Sequence, residues 1–96
     1  MPDSTDFAEA VALLGAKVAA VRELRGLTQT ELANSVGMQR KSVQNIEYGR
    51  ASMKGADGTY GPGNPKLDTV FQLAGALRVD LAYLVDPSRP VHPIPA

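Results

Sequence analysis

The stretch TQTELANSVGMQRKSVQNIEYG, residues 28–49, decides the fold. It holds two short amphipathic runs with only Gly37 and Met38 between them. The first run starts cleanly. Thr28 is a helix N-cap, and Glu31 stands three residues on, the spacing of a reciprocal capping box. Leu27 and Leu32 flank that cap as a hydrophobic staple. Leu32, Ala33 and Val36 form an inward stripe, and Gly37 ends the run because glycine accepts the left-handed conformation of a helix stop. The second run covers residues 39–48, with Val43 and Ile46 facing inward, Met38 packing at the turn and Gly49 ending it. Gln39 is a poor N-cap, so this start is less sharply marked. Two helices joined so closely cross at a steep angle, and the second projects with one face packed and one face free. Placing Val43 and Ile46 inward leaves Arg40, Lys41, Gln44 and Asn45 on the outer side.

Upstream, residues 7–25 form a first helix. Asp6 serves as its N-cap with Glu9 as capping partner, and Leu14, Val18 and Val21 recur at helical spacing. Gly15 inside this run costs roughly 1 kcal/mol relative to alanine, so it implies close approach of another backbone. Gly26 stops the helix. Downstream, ASMKGADGTYGPGN carries four glycines and a proline, which exclude a regular helix. Asp57-Gly58 suits a tight hairpin turn between Met53-Lys54 and Thr59-Tyr60. The scarcity of strand formers favours a flexible loop instead. Asn64-Pro65 opens a fourth amphipathic helix built on Leu67, Val70, Phe71, Ala74 and Leu77. Asp80 caps a short fifth helix that buries Leu81 and Leu84. Residues 86–96 contain Pro87, Pro90, Pro93 and Pro95, cannot be helical and read as disordered. The expected organisation is an N-terminal extension over 1–6, one all-α five-helix domain over 7–85 with a Gly-rich loop at 51–63 between its third and fourth helices, and a Pro-rich tail over 86–96.

Composition narrows the function. The chain of 96 residues is 44% hydrophobic, enough for one modest core. It has no cysteine, hence no disulfide framework and no thiolate metal cluster, which fits a reducing cytoplasm. His92 is the only histidine and falls in the tail, which disfavours a His-based metal site or catalytic dyad. The apolar run AEAVALLGAKVAAV is interrupted by Glu9 and Lys17 and is too short to span a bilayer. The acidic start MPDSTDFAEA is not a signal peptide. There is no nucleophile–base pair, and GADGTYGPG lacks the helix-opening context of a phosphate-binding glycine loop. An enzyme is not expected, nor a cofactor, nor a membrane partner.

Ten Lys/Arg balance ten Asp/Glu, but not evenly along the chain. Residues 1–9 hold three acids and no base, whereas 39–66 hold five bases (Arg40, Lys41, Arg50, Lys54, Lys66) against Glu47 and Asp57. The major groove of B-form DNA admits one helix. There Arg pairs with guanine, Gln and Asn pair with adenine, and Lys reaches guanine or phosphate. Arg40, Lys41, Gln44 and Asn45 supply these types along one face. A solvated polar face has the same composition.

From Leu14 to Leu84 the chain resembles the phage-repressor-like (Cro/C1, or XRE) helix–turn–helix family. The matching residues run from Leu14-Gly15, Val18 and Val21-Arg22 through Gly26-Leu27-Thr28-Gln29, Glu31-Leu32-Ala33, Val36-Gly37, Val43, Ile46-Glu47 and Gly49-Arg50. After a break they resume at Asn64-Pro65, Leu67, Leu73-Ala74, Leu77, Val79 and Leu84. The resemblance implies a five-helix, lambda-repressor-like DNA-binding domain. It implies that Gln29 meets DNA phosphate at a helix N-terminus. Arg40 and Lys41 then take the first base-reading positions, with Gln39 at the start of the same helix. Gln44 and Asn45 reach bases or backbone further along, and Ser42 and Arg50 contact phosphate. Arg22 and Glu47 match a structural ion pair between the first and third helices. Four features depart from the family pattern: Gln39 in place of a small hydroxyl cap, Tyr48, the tail, and the inserted 51–63 segment. That insertion carries Lys54 and Tyr60 and is either an added phosphate or minor-groove contact or a passive surface loop. The resemblance points to a dimeric, sequence-specific transcriptional repressor of cytoplasmic, nucleoid-associated location, with the dimer surface near Leu81, Tyr83 and Val85. The alternative is the antitoxin of a toxin–antitoxin pair, holding a protein partner through the loop or tail.

Overall fold

The computed structural model describes residues 4–95, with the side chains of 4–6, 52–54, 60 and 62 outside the description. Five helices and one hairpin follow in the order α1 (Ser4–Leu24), α2 (Gln29–Ser35), α3 (Arg40–Glu47), β1 (Arg50–Lys54), β2 (Tyr60–Pro62), α4 (Leu67–Leu77) and α5 (Leu81–Val85). No described helix is long and apolar enough to cross a membrane. The core gathers Leu14, Val18 and Val21 of α1, Leu32 and Ala33 of α2, Val43 of α3, four residues of α4, and Tyr83 and Leu84 of α5.

The local signals explain the starts and stops. Thr28 and Glu31 form both halves of a capping box, with Glu31 N donating to Thr28 Oγ1 at 3.0 Å and Thr28 N donating to Glu31 Oε1 at 2.9 Å. Gly26, Gly37 and Gly49 all take positive φ at the ends of the first three helices. Gly15 lies where α1 crosses α3. A Cβ there would press on the carbonyl oxygen of Ile46 and stand 2.7 Å from that of Glu47. The glycine therefore lets the two backbones touch.

Several expectations are corrected. Helix α1 is already formed at Ser4, the first described residue, so Asp6 is a helical residue and not its cap. Within α4 the buried stripe is Val70, Leu73, Ala74 and Leu77. Leu67 and Phe71 stand at its border, 69% and 65% exposed. The five expected helices are present, and what differs from expectation is the segment between the third and fourth. The 51–63 segment is largely an antiparallel hairpin, Arg50 pairing with Pro62 and Lys54 with Tyr60, with a register irregularity between. Its tip is chemically explicit. Gly58 takes φ +81, its N–H donates to Gly55 O at 3.0 Å, and Asp57 Oδ1 accepts from both Thr59 N and Thr59 Oγ1. An Asp side chain closing its own turn and a left-handed glycine together set the reversal despite poor strand formers.

Residues 86–95 form no helix or strand, but they are docked, not disordered. Tyr83 Oη donates to Val91 O at 2.6 Å, Ile94 packs on the core, and the Arg89 guanidinium lies 5.4 Å from the Tyr83 ring centre. Lys17 anchors the same corner from α1. It is fully buried, with Nζ donating to Tyr83 O at 2.7 Å and Asp86 O at 2.9 Å, and 4.9 Å from the Tyr83 ring centre. These carbonyls close α5, so the ammonium caps that helix. Arg25 does the same for α4, with Nε donating to Leu77 O at 3.0 Å.

Burial holds the Lys17 amine below the ordinary lysine range, against the opposing charge of Asp86. The unfolded chain then binds more protons than the folded one between the depressed value and the ordinary one, so this group's contribution to stability rises with pH through that window. Denaturation of wild type and Lys17→Met from neutral pH to the ordinary lysine range should show the difference moving in favour of wild type. A flat difference curve would mean that Lys17 is solvated.

Candidate nucleic-acid interface

Helix α3 projects from the body on a base fixed by one polar node. Arg22 Nε donates to Glu47 Oε2 at 2.7 Å and Arg22 Nη2 to Glu47 Oε1 at 3.2 Å. Gln29 Nε2 donates to the same Oε1 at 3.0 Å, and Arg22 Nη1 reaches Leu27 O at 2.8 Å. The side chains of Arg22 and Glu47 are only 13% and 5% exposed. Hydrogen bonding to Glu47 raises the Arg22 pKa above its usual value, against the opposing effect of burial. The node thus joins α1, the start of α2 and the end of α3, and it cancels the one acid of α3.

Around that base the polar residues sort by exposure. Gln39, Arg40 and Lys41 are exposed, and Ser42 and Gln44 are half-buried. Gln39 makes no side-chain capping bond, so α3 begins without a side-chain lid on its N-terminus. Gln29 is half-buried, with its amide engaged by Glu47. Lys54 lies outside the described side chains. Asn45 departs from the outward placement: it is 5% exposed, and its Oδ1 accepts from Arg50 Nε at 3.0 Å. On a 3.6-residue helix Asn45 lies about 200° round from Val43, well off the core stripe. It is buried because β1 turns back along α3 and brings Arg50 over it. The Arg50 guanidinium also stacks 4.7 Å from the centre of the Tyr48 ring, which is itself 59% exposed.

A cleft of about 540 Å³ opens between α3, the hairpin base and the start of α4. Its polar lining includes Ser42, Asn45, Arg50, Asn64, Lys66 and Thr69. Among the described residues no group of acids and histidines could hold a metal ion. The dimer surface expected at α5 also needs revision. Tyr83 is 1% exposed and turned into the chain, whereas Val85 is exposed and shares a shallow apolar groove with Phe7 and Leu67. Lys17 and Arg25 escape a reading of the sequence for function. Lys17 does give a signal, since it sits three residues from Leu14 and four from Val21, on the core face.

The class of molecule follows from this architecture. Residues 18–54 match the helix-turn-helix family model. Two solved structures at 26% identity share the fold. One is the restriction-modification controller protein C.AhdI from Aeromonas hydrophila, with TM-score 0.62 over 77% of this chain and 94% of that one. The other is the hypothetical transcription factor NHTF from Neisseria, with TM-score 0.65 over 88% and 79%. The biofilm master regulator SinR, solved in complex with DNA, has the same fold at 22% identity, with TM-score 0.58 over 76% and 98%. No curated protein matches the sequence. Residues 18–54 therefore form a helix-turn-helix segment, and the chain is similar in fold to DNA-binding transcriptional regulators. Its helix-turn-helix segment is of the Cro/C1 (XRE) type.

Proposed function

We propose that the protein is a sequence-specific repressor that binds an operator as a homodimer, with α3 in the major groove. The observation that carries this reading is the exposed group Arg40 and Lys41, with Gln44 beside it, on a helix whose only acid is neutralised from behind by Arg22. Arg40 supplies the donors for guanine and Gln44 the amide for adenine. Lys41 meets guanine or phosphate, and Gln39, Ser42, Arg50 and the start of α2 at Gln29 contact the backbone and set register. Lys54 takes a phosphate position on the hairpin. One such helix touches too few base pairs to select a genomic site, so two copies on half-sites about 34–36 Å apart are required. Phe7, Leu67, Phe71 and Val85, all large and exposed, are the surface we assign to the second copy.

Selection from a random duplex library, followed by anisotropy titration at two salt concentrations, tests this reading. A palindromic winner and affinity that falls with salt are expected. Arg40→Ala should lose about 1–3 kcal/mol on that site and relax the preference at one position of each half-site. Enrichment of no sequence at low salt would sink the reading.

A further inference from the structure

We propose that Asn45 is a positioning residue and not a base reader: with Tyr48 it holds Arg50 in one pose at the C-terminal end of α3, and the three act as a unit on a DNA phosphate. This inference rests on the DNA-binding reading above. An adenine reader must offer both the oxygen and the amide hydrogens of its side chain to one base edge. Asn45 is 5% exposed, and its Oδ1 already accepts from Arg50 Nε at 3.0 Å. It would have to leave its site and release Arg50 to read a base.

The arginine gains what the asparagine gives up. A free arginine side chain samples many rotamers, and ordering them on binding opposes association. Here the Arg50 side chain is fixed at Nε by Asn45, and its flat face rests on Tyr48 at 4.7 Å. The stack sits at the surface, because Tyr48 is 59% exposed. The turn that delivers Arg50 is rigid as well. Gly49 takes φ +66, and a Cβ on it would stand 2.9 Å from Ala12 Cα of α1. Lys66 lines the same cleft as Arg50, and Glu47 is tied to Arg22, so the local field favours an anion.

The test uses wild type, Asn45→Ala, Arg50→Ala and the double variant on the duplex that wild type enriches. Melting by circular dichroism establishes that each is folded at the assay temperature. Each single substitution should weaken binding roughly tenfold, the loss of one charge-assisted contact, and make the salt slope shallower by about 0.9. The double variant should be no weaker than Arg50→Ala. Repeating the selection with Asn45→Ala should return the wild-type base preference. Tyr48→Leu changes only an exposed side chain, so it keeps the test open if Asn45→Ala fails to fold. It should weaken binding in wild type and have no further effect in Arg50→Ala. Additive losses, or a base preference altered by Asn45→Ala, would overturn the unit while leaving DNA recognition standing. A wild type that enriches no duplex would overturn both.

Discussion

Glu47→Ala should lower the stability of the protein by about 3–5 kcal/mol, the loss expected when one partner is removed from a buried ion pair. The Glu47 side chain is 5% exposed and accepts three hydrogen bonds, two from Arg22 and one from Gln29. Without it, a guanidinium 13% exposed keeps only the Leu27 carbonyl and a weak approach to Glu23 at 3.8 Å. Domains of this size are stable by about 5–15 kcal/mol in total, so the variant stands near its unfolding threshold. A fall in melting temperature on the order of 20 °C is expected. Arg22→Met combined with Glu47→Leu should recover most of the loss, because an apolar pair of similar volume removes the stranded charge. Urea denaturation of wild type, Glu47→Ala and the double variant checks both expectations. A single-variant loss under about 1 kcal/mol, the value of a surface pair, would show that water reaches the node.

The second large effect has an unusual sign. Alanine in place of glycine inside a helix normally stabilises by about 1 kcal/mol. Gly15→Ala should instead destabilise by about 1–3 kcal/mol, since its Cβ would be driven into the Ile46 and Glu47 carbonyls. Gly75 is the internal control. It lies in α4, is exposed, and has nothing within 4 Å of the point where an added Cβ would stand. Gly75→Ala should gain roughly 0.5–1 kcal/mol. Thermal melts of both variants settle the point, and a stabilised Gly15→Ala would mean that α1 and α3 do not meet at that residue. Because those carbonyls close α3, the Gly15 variant should also shift the recognition helix and weaken DNA binding in step with its stability.

What was legible in the sequence was local. The Thr28–Glu31 box, the glycine stops and the inward residues Leu32, Ala33 and Val43 depend on neighbours within a turn, and the structure has them where the pattern put them. Gly15 was legible because a glycine is costly in a helix unless something needs the space. What was not legible depended on distant chain. The hairpin is held by backbone pairing and by Asp57 closing its own turn, which composition scales do not register. Asn45 is buried only because that hairpin returns Arg50 over it. Leu67 and Phe71 continue the apolar period of α4, but the core ends one stripe earlier. The tail looked too rich in proline to pack, yet Val91 offers a carbonyl to Tyr83 and Ile94 an apolar side chain to the core. Pairing between residues 83 and 91 has no periodic signature.

The hairpin also has bearing on how such a chain tolerates change. Its two ends meet: Gly63 N–H donates to Gly49 O at 3.1 Å, so the backbone enters and leaves at nearly one point. Loop closure depends only logarithmically on length, each doubling adding about 0.6 kcal/mol. The entropy of closing the chain between 51 and 62 therefore changes little with the length of that segment. The hairpin is a port at which segments of different length and chemistry can be exchanged beside the recognition helix while the five-helix body stays the same.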